Sequence, residues 1–339
     1  MVIDTPGRLR IKIVILADSC LAPITQGESS MTAPVAPILV TGATGRHGST
    51  GAHVARRLRE EGRPVRILAR TRSARTDALA DLGAEVFLGD LHDRRSLVLA
   101  LADVELAYFT YPVDAGVVDA AANYAAAVRE VGRGVRTVVM SMAPAHPLHP
   151  SDLGRAQWLA EEVMSWAGLD VLILRVAATF HENILALHGD SIRRAGLLRN
   201  SFGHNPVGWI SGSDAGELAL AALLHPERFD GPVCYPPGSE HLHHRDVADI
   251  LTQELGRPIS FEPISRDEWR RELIEVAEAH PGGVVNLAMA SHISNVGEAV
   301  ATRGAPPVEH GALGALIGRA PVPLRDFLRA NRAALAMTG

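Results

Sequence analysis

The feature that most restricts how this chain can fold lies near its start. An apolar run at residues 37–41 ends in Gly42-Ala43-Thr44-Gly45-Arg46-His47-Gly48. An amphipathic stretch at 49–61 follows, with Val54 and Leu58 at helical spacing; then come Gly62-Arg63-Pro64 and a second apolar run at 65–69. Two parallel strands cannot be joined by a tight turn. They need a crossover, usually a helix, and about thirty residues suffice for the unit. Each glycine has a distinct use in such a loop. Gly42 permits the turn, Gly45 lets the backbone approach a pyrophosphate, and Gly48 lets the helix close on the sheet. The helix N-terminus then presents free N–H groups and a partial positive charge, and Thr44, Arg46 and His47 lie where further contacts can be made. An ordinary strand–helix turn is the plain alternative; the flanking strand, helix and second strand favour dinucleotide binding.

The alternation continues. Helices are expected at 77–82, 94–102, 117–131 and 155–167, and strands at 85–88, 104–110, 135–141 and 171–176. These strands are near-continuous apolar runs, as expected when helices cover both faces of a sheet. The pattern predicts an α/β fold with a doubly wound parallel sheet of the Rossmann type over residues 35–177. Beyond 178 the rhythm loosens into helices at 183–195, 213–224, 244–255, 266–279 and 324–335, and short strands at 207–210, 233–235 and 259–261. This part is read as a smaller C-terminal α+β lobe, 178–339, interleaved with the core. Residues 1–34 turn to Pro, Thr, Gly, Glu and Ser after Ala22 and are read as a flexible extension, with Met31 a candidate start.

Composition removes several functions. A net charge of −5 gives no reason to expect nucleic acid. Cys20 and Cys234 are isolated, so neither a disulfide framework nor a zinc site is expected, and no apolar run reaches membrane-spanning length. The expectation is a soluble cytoplasmic protein. The 15 histidines include a cluster at His241, His243 and His244, but the spacing fits no zinc pattern and no metal is expected. Lys12 is the only lysine, which excludes mechanisms that need a lysine in the folded domain.

Cofactor preference is read at the end of the second strand. NAD-binding folds place an acid there for the ribose 2′-hydroxyl; this chain has Arg70, then Arg72 and Arg75, which suit a 2′-phosphate. NADP(H) is therefore expected over NAD(H), with a solvated basic turn as the alternative. Asp90 and Leu91 follow the third strand, where a carboxylate can meet the adenine amino group or simply form a turn.

Several segments together resemble the NmrA-like proteins, atypical members of the short-chain dehydrogenase/reductase superfamily. They are the TGATG loop at 41–45, GDLHDRRSL at 89–97, FTYP at 109–112, FHEN at 180–183 and WISGSDAGELA at 209–219. The resemblance implies an NADP(H)-preferring Rossmann fold, with Thr110 and Tyr111 on the cofactor wall. Some members reduce quinones, dyes or unsaturated intermediates; others bind the nucleotide without turnover and regulate a partner protein.

The usual superfamily dyad, Tyr-x-x-x-Lys, is absent. Leu153 and Gln157 stand at its two positions. Gln157 remains able to bond the nicotinamide ribose. Candidate proton donors at carboxyl ends of strands are Tyr111, Ser141 and His181, each with a plain reading as pocket wall, loop cap or structural histidine. The leading expectation is reduction of a small quinone-like or conjugated electrophile. The alternatives are a non-catalytic NADP(H) sensor that binds a protein partner, and an isomerase or lyase. A helix such as 116–131 could also serve a homodimer.

Overall fold

The computed structural model describes residues 35–45, 49–114 and 116–336. The expected extension at 1–34 and the loop positions Arg46, His47 and Gly48 lie outside the described residues. The first half runs β1 (Ile38–Val40), α1 (Thr50–Glu60), β2 (Val65–Ala69), α2 (Ala74–Asp81), β3 (Glu85–Leu88), α3 (Arg94–Ala100), β4 (Leu106–Phe109), α4 (Val117–Val131), β5 (Arg136–Met142), α5 (Asp152–Trp166) and β6 (Val171–Val176). The second runs β7 (Thr179–Phe180), α6 (Glu182–Ala195), β8 (Leu197–Asn200), β9 (Val207–Ile210), α7 (Gly212–Leu224), β10 (Val233–Cys234), β11 (Glu240–Leu242), α8 (His244–Leu255), β12 (Ser260–Pro263), α9 (Arg266–Ala279), α10 (Leu287–Arg303), α11 (Ala312–Ile317) and α12 (Leu324–Ala330).

The main sheet has seven parallel strands in the order β10-β6-β5-β4-β1-β2-β3. The chain winds outward from β1 to β3, then crosses back to β4 on the other side of β1. That reversal opens a crevice between β1 and β4 at their carboxyl ends, the place where open α/β sheets bind ligands. One face is covered by α3, α4 and α5, whose Leu97, Tyr124, Ala127 and Met164 pack on Leu39, Val139 and Ile173. The other is covered by α1, α7 and α11, with Val54, Leu58, Leu218 and Leu313 against Val40, Ile67 and Val138. The chain beyond residue 177 thus returns to the sheet three times, as helices α7 and α11 on its face and strand β10 at its edge.

A third core lies in the later part, where Ile184, Trp209, Val247, Trp269 and Leu324 pack together. Sequence periodicity missed β7, β8, β11, α10 and α11. The strands are too short to show alternation. Helix α10 is 17 residues long, but Ser291, Ser294 and Asn295 break up its apolar stripe. Helix α5 begins three residues before the expected 155, because Ser151 caps it by accepting from the Gly154 amide. Among the described residues no helix is long and apolar enough to cross a membrane.

Candidate functional site

The carboxyl ends of β1, β4, β5 and β6 open into one cavity of about 1000 Å³. Its floor depends on a backbone that leaves no room for side chains. Gly42 has φ +64°, and a β-carbon there would lie 2.4 Å from the Thr110 methyl. Thr41 secures the same junction: its hydroxyl donates to the Thr110 carbonyl at 3.0 Å and accepts from the Thr110 amide at 2.9 Å. Gly51, not singled out in the sequence, carries the tight helix–sheet contact, since a β-carbon there would come within 2.7 Å of the Gly42 carbonyl carbon. Ser49, ahead of α1, is left-handed (φ 49°) and makes no side-chain cap. Among the described residues no side chain caps the first turn of α1, which leaves its amide donors to offer a ligand, and Thr50 lines the cavity.

Gly42, Thr44, Gly45, Arg70, Asp90, Leu91, Thr110, Tyr111, Ser141 and Gln157 all line this one cavity. The arginines after β2 separate. Arg70 faces the cavity, whereas Arg72 stands 3.8 Å from Asp77 with both side chains 60% exposed, and it does not line the cavity. Arg75 donates to the Thr44 carbonyl at 2.9 Å and so braces the glycine loop. Asp90 accepts from the His92 amide at 3.0 Å, so it closes a turn as well as facing the cavity. His181 does not belong to the site. It is fully buried against Phe327 and Trp209, lines no part of the cavity, and burial pushes its pKa down to about 3; a proton donor must reach the reacting atoms.

The far end of the cavity is apolar, formed by Phe180, Phe202, Val207, Met289, Ile293 and Val296. Helix α10 closes it, anchored by Asn286, whose side chain caps the helix at Met289 and donates to the Val113 carbonyl at 2.9 Å. Arg70 is the only arginine or lysine lining the cavity among the described residues. No group of three His, Cys, Asp or Glu side chains among them stands close enough together to hold a metal ion.

Residues 35–161 match the NmrA-like family. The chain is 34% identical over 242 residues to a (4-alkanoyl-5-oxo-2,5-dihydrofuran-3-yl)methyl phosphate reductase of Streptomyces griseus, covering 70% of this chain and 80% of the relative. This chain belongs to the NmrA-like family. An NAD(P)H azoreductase of Xenophilus azovorans is 29% identical over 238 residues, covering 70% and 80% of the two chains. The fold is shared with a crystal structure of an NADPH-dependent quinone oxidoreductase from Escherichia coli, with TM-score 0.71 and 20% identity over 86% of this chain and 99% of that one.

In this NmrA-like chain the helix that would carry a Tyr-x-x-x-Lys pair is built differently. Leu153 is buried in the protein and does not line the cavity; Gln157, one turn on, does. Tyr111 bonds His92 Nε2 through its hydroxyl at 2.8 Å. Burial, helped by Asp114 and Asp90, raises its pKa, so the phenol keeps its proton. Ser141 donates to Glu161, which is also held by Arg175, and Arg175 reaches the Tyr235 hydroxyl at 2.6 Å. Burial nonetheless raises the Glu161 pKa from its ordinary value, against the pull of Arg175 and Ser141. While Glu161 is ionised, Ser141 can only accept a hydrogen bond from the cavity. Sequence reading also missed a cluster ahead of α5, in which Ser151 lies between His149 and His292. Gly154 was its one local signal: a β-carbon there would sit 2.3 Å from the His149 ring. His292 is 141 positions from Ser151 and gave none.

Proposed function

We propose that this protein is an NADP(H)-dependent reductase of a small, uncharged, quinone-like or conjugated electrophile. The observation that carries the reading is the continuity of one cavity, from the glycine cradle and Arg70 to an apolar end walled by Phe180, Phe202 and Val296. Family membership and the reductase names of the two sequence relatives support it.

The cradle suits a pyrophosphate, because Gly42 and Gly51 bring backbone where side chains would block it and the first turn of α1 is uncapped. In this reading Arg70 pairs with a 2′-phosphate, Asp90 faces the adenine side, and Gln157 bonds the nicotinamide ribose; that all three line the cavity supports it. Bound NADPH supplies the hydride. The chain's own work is to orient the two reactants and to exclude water from the apolar end. Tyr111 holds a proton at its hydroxyl beside His92 and is the proposed donor to the oxygen that becomes negative. A quinone or conjugated acceptor asks little of that donor, which fits a site without the Tyr–Lys pair. Among the described residues Arg70 is the only arginine or lysine on the cavity wall, and its assignment to the cofactor argues against a phosphorylated substrate such as the Streptomyces relative's name describes.

The second reading, a sensor that binds NADP(H) without turnover, draws on the buried Leu153 at the tyrosine position. Titration with NADPH and NADH, followed by a quinone panel while NADPH absorbance is tracked, separates the two. Tight NADPH binding with consumption supports the reductase. Tight binding without consumption by any acceptor favours the sensor.

A further inference from the structure

Helix α10 lines the cavity through Met289, His292, Ile293, Val296 and Val300, one face at helical spacing, and His292 is its only ionisable member. The His292 ring is 5% exposed and leans against His149, with ring centres 5.0 Å apart. Between them stands Ser151, whose Oγ lies 2.8 Å from His292 Nδ1 and 2.9 Å from His149 Nδ1. Both contacts are side chain to side chain, so the proton positions follow from the donors around them.

Two backbone amides constrain those positions. The Ser151 amide donates to His149 Nδ1 at 3.0 Å, so that nitrogen carries a lone pair and no proton. The Gly154 amide donates to Ser151 Oγ at 3.2 Å and occupies one of its acceptor positions. Ser151 has a single proton. If it pointed at His292, the bare His149 Nδ1 would face a serine lone pair at hydrogen-bond distance. Directed at His149 instead, it shares the Nδ1 lone pair with the Ser151 amide in a three-centre bond and leaves Oγ free to accept from His292 Nδ1–H, so every close contact pairs a donor with an acceptor. A neutral imidazole has only one N–H, so Nε2 of His292 is then bare. That nitrogen has no partner among the described residues, yet it is not one of the sealed polar atoms, and the ring lines the cavity. Burial keeps the ring neutral.

We infer that His292 Nε2 is a hydrogen-bond acceptor set in an otherwise apolar wall, and that it selects ligands carrying a hydroxyl or N–H donor on an aromatic or conjugated frame. Ser151 and His149 are positioning residues, since they act only by fixing the tautomer. The identification of that ligand as the substrate rests on the reductase reading; the acceptor itself does not. A ring with a free hydroxyl then binds with its oxygen toward α10, whereas the corresponding ether leaves Nε2 desolvated and unpaired.

The test compares 2-naphthol with 2-methoxynaphthalene, which differ in that one donor. Binding to the full chain saturated with NADP+ is followed by calorimetry. The expected result is roughly tenfold tighter binding of 2-naphthol. His292→Phe removes the preference while retaining the ether's affinity, and Ser151→Ala reduces it by releasing the tautomer. Because either variant can perturb folding, the unaltered protein labelled with isotopic histidine gives an independent readout: the nitrogen resonances of His292 should report Nδ1–H and a bare Nε2. Equal affinities for the two probes, no binding of either, or an Nε2–H signature overturns the inference. Failure of every acceptor to consume NADPH would favour the sensor over the reductase reading and leave these binding and tautomer results standing.

Discussion

Gly51 of α1 and Gly42 of the loop after β1 are in backbone contact so close that a β-carbon at 51 would lie 2.7 Å from the Gly42 carbonyl carbon and 2.8 Å from its oxygen. Neither of these atoms can swing aside as a flexible side chain would. Gly51→Ala should therefore push α1 off the sheet, destabilising the protein by about 1–3 kcal/mol as an overpacked core does. It should also weaken NADPH binding, because the uncapped first turn moves with the helix. Thermal unfolding and a fluorescence titration check the two effects; an unchanged melting temperature would show that the contact is not tight in solution.

Arg70 and Arg72 are two positions apart and differ in what they face. Arg70→Asp removes a charge-assisted pair with a 2′-phosphate and adds repulsion, so NADPH affinity should fall by at least roughly 1–3 kcal/mol. NADH affinity should change much less. Arg72→Ala should leave both close to the unaltered values, since its ion pair with Asp77 is solvent-exposed. Equal losses for the two variants would place the phosphate elsewhere.

Glu161 and Arg175 form a buried ion pair, with side chains 2% and 13% exposed. Glu161→Leu leaves the guanidinium without its counter-ion and should cost about 3–5 kcal/mol. Adding Arg175→Leu should recover much of that loss, because the uncompensated charge is then gone. Urea unfolding of the single and double variants measures the coupling. A double variant no more stable than Glu161→Leu would refute it.

Four buried histidines make stability depend on acid. Burial lowers His181, His244 and His292 to about 3 and His188 to about 4, against 6.5 in the unfolded chain. Between those values the unfolded state binds more protons than the folded one, so stability is full above pH 6.5 and falls as the pH drops towards 4. Each histidine contributes about 1.4 kcal/mol of loss for every pH unit in that window. His181 is the cleanest case, because neither ring nitrogen has a partner among the described residues. Unfolding measured across this range should show the slope, and His181→Phe should reduce it; an unchanged slope would mean that His181 is protonated in the folded protein.

The glycine loop, the basic residues after β2 and the missing dyad could be read in the chain because each depends on neighbours within a few positions. Val65–Ala69, Glu85–Leu88, Val117–Val131 and Val171–Val176 have the bounds that their apolar runs and flanking turns indicate. Helix α10 did not reveal itself. Two polar residues at its start and on its cavity face are satisfied by distant groups, Val113 for Asn286 and Ser151 for His292, and a local pattern carries no trace of those partners.

By itself the sequence determined the βαβ order, and with it a parallel doubly wound sheet, since hydrophobic periodicity and turn chemistry are local and survive in the linear chain. It also determined that residues 35–339 contain no lysine. The tertiary structure alone decided which side chains share the cavity. It turned Arg72 away and Arg70 inward, buried His181, set Gly51 against the Gly42 backbone, and carried His292 across the fold to Ser151. The reason is physical: a hydrogen bond or a steric limit belongs to a pair of groups, and when the pair is separated by more than a hundred residues only packing brings its members within reach.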